Sequence, residues 1–124
     1  SMVAELGSDG PLSLRAALCN PCASVYIPLV VGVEPPAELL AGTRDPEPGS
    51  AWWRFRSLVD ALETDPARLA PLLGDHWQRV EESLECLVTD FVANGDSGSG
   101  RALMEEAWAM VSEKLDEAAR LVAA

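Results

Sequence analysis

The chain is short of positive charge. Nine lysines and arginines stand against twenty aspartates and glutamates in 124 residues, for a formal net charge of −11. A polyanion is therefore repelled rather than recruited, and neither a nucleic-acid partner nor an anionic membrane surface is expected. Long apolar runs are also lacking: none approaches the roughly 20 residues that a spanning helix needs. No basic segment followed by an apolar stretch opens the sequence, so no signal peptide is expected and the cytoplasm is the expected compartment. Cysteine is scarce and odd in number, three residues in all, which suits a reducing environment better than a disulfide framework. No internal repeat occurs, and no glycine-rich phosphate loop follows a strand.

What remains is a chain long enough to bury one core. Met2 to Leu6 and Leu12 to Cys19 flank the turn "GSDGP" and are expected to pair as a hairpin, since glycine, serine, aspartate and proline are the residues turns demand. "ASVYIPLVVG" is expected to form a third strand, with Pro28 at an edge or bulge because it lacks an N–H. Residues 34–50 carry Pro35, Pro36, Pro46 and Pro48 and are expected to be loop without regular structure.

Beyond the loop the apolar period changes from two to about 3.6. Trp52, Phe55, Val59 and Leu62 predict a helix capped by Ser50, and Asp65 followed by Pro66 predicts a second start. One stripe then runs through Leu69, Leu73, Trp77, Val80, Leu84, Leu87 and Phe91, with a kink or short break expected at Pro71 and Gly74. "NGDSGSG" is expected to be a flexible joint. Met104, Trp108, Val111, Leu115, Ala118 and Val122 predict a final amphipathic helix. The expected fold class is α+β: short N-terminal antiparallel strands (residues 1–33), a proline-rich loop (34–50) and a segment of three helices (51–124). Together these make one domain or the C-terminal fragment of a larger one. Two or three short strands are marginal alone, so the sheet needs cover from the helices or completion by further strands.

Residues that could carry chemistry are few. Cys19 and Cys22 have a spacing that suits a zinc or redox pair. A tetrahedral zinc site wants four ligands, and only Cys86 and His76 are left to supply them. A redox pair wants the start of a helix, whereas here a strand follows. Small buried hydrophobes at a strand entrance are the expectation for this pair. His76 is expected on a helix surface, with no nucleophile tuned to it, and Cys86 on a helix flank. Trp52, Trp53, Trp77 and Trp108 fall on or beside helical stripes and are expected to pack the core. The acidic run "EESLE" is expected to be a solvated helix face. No catalytic, cofactor-binding or metal-ligating residue is assigned, and no cofactor is expected.

"CNPCASVYIPLVVG", the proline-rich gap after it and "SAWWRFRSLVDALETDPARLAPLL" resemble the C-terminal portion of the secernin family and its bacterial relatives, the secernin-like dipeptidases. The shared order is a small-residue and proline turn from Asn20, a strand ending near Pro28, a variable loop to Gly49, and Trp52 to Arg54 opening a helix that leads into a long second one. "SMVAEL" also resembles a strand of that family, so the likeness runs to about Phe91. The resemblance implies an N-terminal nucleophile cysteine hydrolase, a sandwich of two sheets between helical layers that cleaves amide bonds of small peptides. Its nucleophile is a cysteine at the mature N-terminus with its own α-amino group as base. This chain opens on Ser1 and Met2, and its first cysteine is Cys19. No catalytic residue is carried over, and Cys19 and Cys22 match a structural turn.

The expectation is thus a non-catalytic C-terminal segment of such a hydrolase. The alternative is a stand-alone helical module for self-association or protein interaction, without enzymatic activity. The expected partner is a second copy or the N-terminal part of the same protein. Contact is expected through residues 2–31 or the stripe centred on Trp77 and Leu84, and salt should strengthen self-association, or at least not weaken it, by screening the −11 charge.

Overall fold

Short β-branched and aromatic runs at the front of the chain form strands, and the 3.6-residue stripes behind them form helices. The computed structural model describes residues 1–4, 13–94 and 99–124, and in it the chain is α+β, a three-stranded antiparallel sheet with four α-helices. The strands β1 (Met2–Ala4), β2 (Ser13–Ala17) and β3 (Tyr26–Val30) lie in the order β1-β2-β3. Val3 pairs with Arg15, and Arg15 with Pro28. The expected hairpin is present, although "GSDGP", Leu6 and Leu12 lie outside the described residues.

β2 ends at Ala17, short of the expected Cys19. Cys19 has a φ of 61°, a left-handed conformation that no strand continues through. Asn20 then starts a one-turn 3₁₀ helix, Pro21–Ala23, by accepting from the Cys22 amide at 2.9 Å. Another turn follows β3, where Gly32 takes a φ of 86° that a side chain would strain.

The proline-rich stretch is not wholly irregular, which corrects one expectation. Its prolines cluster at the two ends and leave Ala37–Leu40 free to form one helical turn, α1. Glu38 in that turn accepts from the indole N–H of Trp108 and ties α1 to the last helix. Ser50 caps α2 (Ala51–Thr64), its hydroxyl accepting from the Trp53 amide and donating to the Ala41 carbonyl at 2.7 Å. Asp65 ends α2 because a residue before proline is pushed out of the α region. The same side chain accepts from the Arg68 amide and so begins α3 (Pro66–Asn94).

Of the kink or short break expected at Pro71 and Gly74, the break does not occur, since α3 is one continuous helix. Pro71 and Ala67 both lie on the solvent face, where the carbonyl that proline leaves unpaired meets water. α4 (Gly100–Ala123) completes the fold. Gly100, expected in a flexible joint, is its buried first residue, and a Cβ there would meet Val30 Cγ1 at 3.0 Å. The rest of that joint, residues 95–98, lies outside the described residues.

The three amphipathic stripes converge on one core. Phe55, Leu58, Leu73, Trp77, Val80, Leu84, Trp108, Val111 and Leu115 pack together with Ala23, Val25 and Ile27 from the sheet side. A second cluster joins Val30 to Phe91, Leu103 and Met104. Each of the larger apolar side chains contributes roughly 1.5–3 kcal/mol by leaving water. Trp77 and Leu84 pack into this internal core, at 3% exposure each, so the centre of their stripe faces inward rather than toward a second copy.

Candidate functional site

The residues singled out for chemistry do not assemble. Among the described residues no group of three or more histidine, cysteine and acidic side chains is placed to hold a metal ion. All three cysteines are free thiols. Cys22 is exposed and Cys19 half-buried, so the expectation of buried hydrophobes fails for the first. The Asn20 cap turns the backbone so that Ala23, not Cys22, is the residue tucked inward, at 0% exposure. Its carbonyl accepts the indole N–H of Trp77 at 3.1 Å, which pins the turn to the core. Cys86 is exposed on α3, as a helix flank should be.

His76 is also corrected. It is 7% exposed rather than on the surface, because α4 covers it. Its Nε2 lies 2.8 Å from the Lys114 carbonyl, which can only accept, so Nε2 carries the proton. The ring stacks edge-on against Trp77, with centroids 4.8 Å apart. The tryptophans divide. Trp77 and Trp108 are core residues, but Trp52 is 39% exposed and Trp53 is half-buried, its indole N–H bound to the Thr43 carbonyl. A groove of about 640 Å³ beside Trp53 is lined by Arg54 and Arg56, whose charges are met by Asp116 and Asp60.

The feature that does emerge is the contrast between the edges of the sheet. Ser1 and Ala17 exchange two backbone hydrogen bonds, at 2.9 and 3.2 Å. Antiparallel strands alternate the direction of their polar groups. Val3 therefore faces β2, while the N–H and C=O groups of Met2 and Ala4 point away from the sheet. No other described residue covers them: all of β1 is exposed, with Met2 at 66% and Val3 at 51%.

On the far side the same alternation turns Tyr26, Pro28 and Val30 outward from β3. Each is closed differently. The Tyr26 amide donates to Glu81 Oε1 of α3 at 3.3 Å. Pro28 has no N–H and its side chain is fully buried, which bears out its expected place at an edge. The Val30 amide donates to the Met104 sulfur of α4 at 3.4 Å, and its carbonyl accepts from Val33. The acidic run is thus more than a solvated face. Glu81 seals the edge, and Glu85 pairs with Arg15 of β2 at 2.9 Å. Neither Glu81 nor Met104 could be found from local sequence, since their partners lie 55 and 74 positions away.

No helix among the described residues is long and apolar enough to cross a membrane. Comparison with protein-family models, with curated proteins and with solved structures finds no match for the chain.

Proposed function

We propose that this chain is the non-catalytic C-terminal segment of a secernin-like cysteine hydrolase acting on amide bonds of small peptides, and that its sheet is the margin of a wider one. Support comes from the unequal edges: a sheet sealed beyond β3 and, among the described residues, bare beyond β1 accepts a new strand on one side only. In this reading the strand beside β1 comes from the preceding part of the protein, which also supplies the nucleophilic cysteine and its α-amino base. The helices form the outer cover, and Cys19 and Cys22 shape the turn that seats Ala23 against Trp77.

The test is to extend the reading frame upstream of Ser1 and assay both forms against a panel of dipeptides. The extended protein, carrying an N-terminal cysteine, should hydrolyse dipeptides, and residues 1–124 alone should not. Turnover by residues 1–124 that is lost with Cys19→Ala, Cys22→Ala or Cys86→Ala overturns the proposal, as does an extended frame without that cysteine.

A further inference from the structure

In a chain with a net charge of −11, a cation without a carboxylate partner is uncommon. Of the nine basic residues, Arg15, Arg54, Arg56, Arg68, Arg101 and Lys114 form ion pairs among the described residues, leaving Arg44, Arg79 and Arg120. Two of these three, Arg79 and Arg120, line the same groove of about 580 Å³ between α3 and α4. Lys114 lines it too, with Nζ 3.0 Å from both carboxylate oxygens of Glu117. Three cations thus meet two carboxylates there, the side chain of Glu117 and the terminal group of Ala124. Glu117 registers the surplus: the hydrogen bond from Lys114, then the nearby charges of Lys114, His76 and Arg120, hold its carboxyl below the usual 4.5.

Val80, Met110 and Leu121 are the larger apolar residues of the lining, which also includes Ser83 and His76. Met110 and Leu121 form the wall, and Leu121 is 37% exposed although it is a large hydrophobic residue. Buried His76 closes the floor, its Nε2 proton already committed to the Lys114 carbonyl. A cationic rim over an apolar wall suits a ligand with an anionic head and a hydrophobic body.

Independently of the hydrolase reading, we propose that this groove binds a small amphipathic monoanion, an acyl or aryl carboxylate. Its head lies between Arg79 and Arg120 and its body against Met110 and Leu121. Guanidinium groups match a carboxylate in geometry and charge. A single charge fits better than a polyanion, because the chain's own −11 repels multiply charged ligands at longer range.

The test is an NMR titration of the isotope-labelled chain with three probes: octanoate, acetate with the head alone, and octanol with the body alone. Octanoate should shift His76, Met110 and Leu121 resonances saturably. Acetate and octanol should each bind about tenfold more weakly or less, and the exposed Arg79→Gln, Arg120→Gln double variant should lose about tenfold in octanoate affinity. The absence of a saturable shift, octanol binding as tightly as octanoate, or undiminished binding by a folded double variant overturns the proposal.

Discussion

β1 and β3 are the two margins of one sheet, and they are treated in opposite ways. At β3 every outward N–H position is answered: Tyr26 by a carboxylate, Pro28 by the absence of a donor, Val30 by a thioether. Two of those answers come from helices far along the chain. At β1, Met2 and Ala4 present their backbone groups to solvent on a strand with no charge and no proline. Charge, proline and helical cover are the usual means by which proteins keep sheet edges from pairing. All three protect one edge and, among the described residues, none protects the other, and this contrast is what the proposed function rests on.

That contrast can be broken from the sealed side first. Met104→Ala removes both the apolar contact with Val30 and the sulfur acceptor, and should cost about 2–5 kcal/mol in chemical denaturation. Met104→Leu separates the two roles: it keeps the volume at a cost of under about 1.5 kcal/mol, yet it should still hasten exchange of the Val30 amide. Pro28→Ala places an N–H on a buried edge with nothing assigned to receive it, and should cost about 1–3 kcal/mol. Glu81→Ala should cost about 1 kcal/mol and selectively speed exchange at Tyr26.

On the open side the effect should nearly vanish. Val3→Lys, at an exposed position, should leave the stability of the isolated chain within about 0.5 kcal/mol, while blocking addition of a strand in the extended protein. A last, small effect lies away from the sheet. The carboxyl of Glu117 titrates below its unfolded value of 4.5, so its contribution is present above that pH and is lost as pH falls through the folded value. Glu117→Gln should therefore slightly flatten the acid limb of a stability–pH curve.

Local signals were legible where one residue suffices to make them. Pro28 declares an edge by lacking a donor, Asp65 and Pro66 declare a helix boundary, and Ser50 declares a cap, each as found. The stripe from Leu69 to Phe91 marks the buried face of α3, though Val88 at 4% exposure shares the place given to Leu87. The illegible parts depend on distant chain. His76 is buried because α4 lies over it, and Glu81 and Met104 gain their roles from β3. Cys22 is turned outward by a side-chain bond from Asn20, which residue type and spacing alone do not reveal. The short α1 is hidden by the proline content of residues 34–50 as a whole, although the prolines sit at the ends of that stretch and leave Ala37–Leu40 free.

Amide hydrogen exchange, read residue by residue on the 124-residue chain, tests the unequal edges most directly. Tyr26 and Val30, bound to Glu81 and Met104, should exchange slowly. Within β1, Val3 should be slower than its neighbours because its amide faces β2, while Met2 and Ala4 should exchange near the rate of unstructured backbone. Protection of Met2 and Ala4 equal to that of Tyr26 and Val30 would mean that the edge is already covered, and would contradict the open edge on which the proposed function rests.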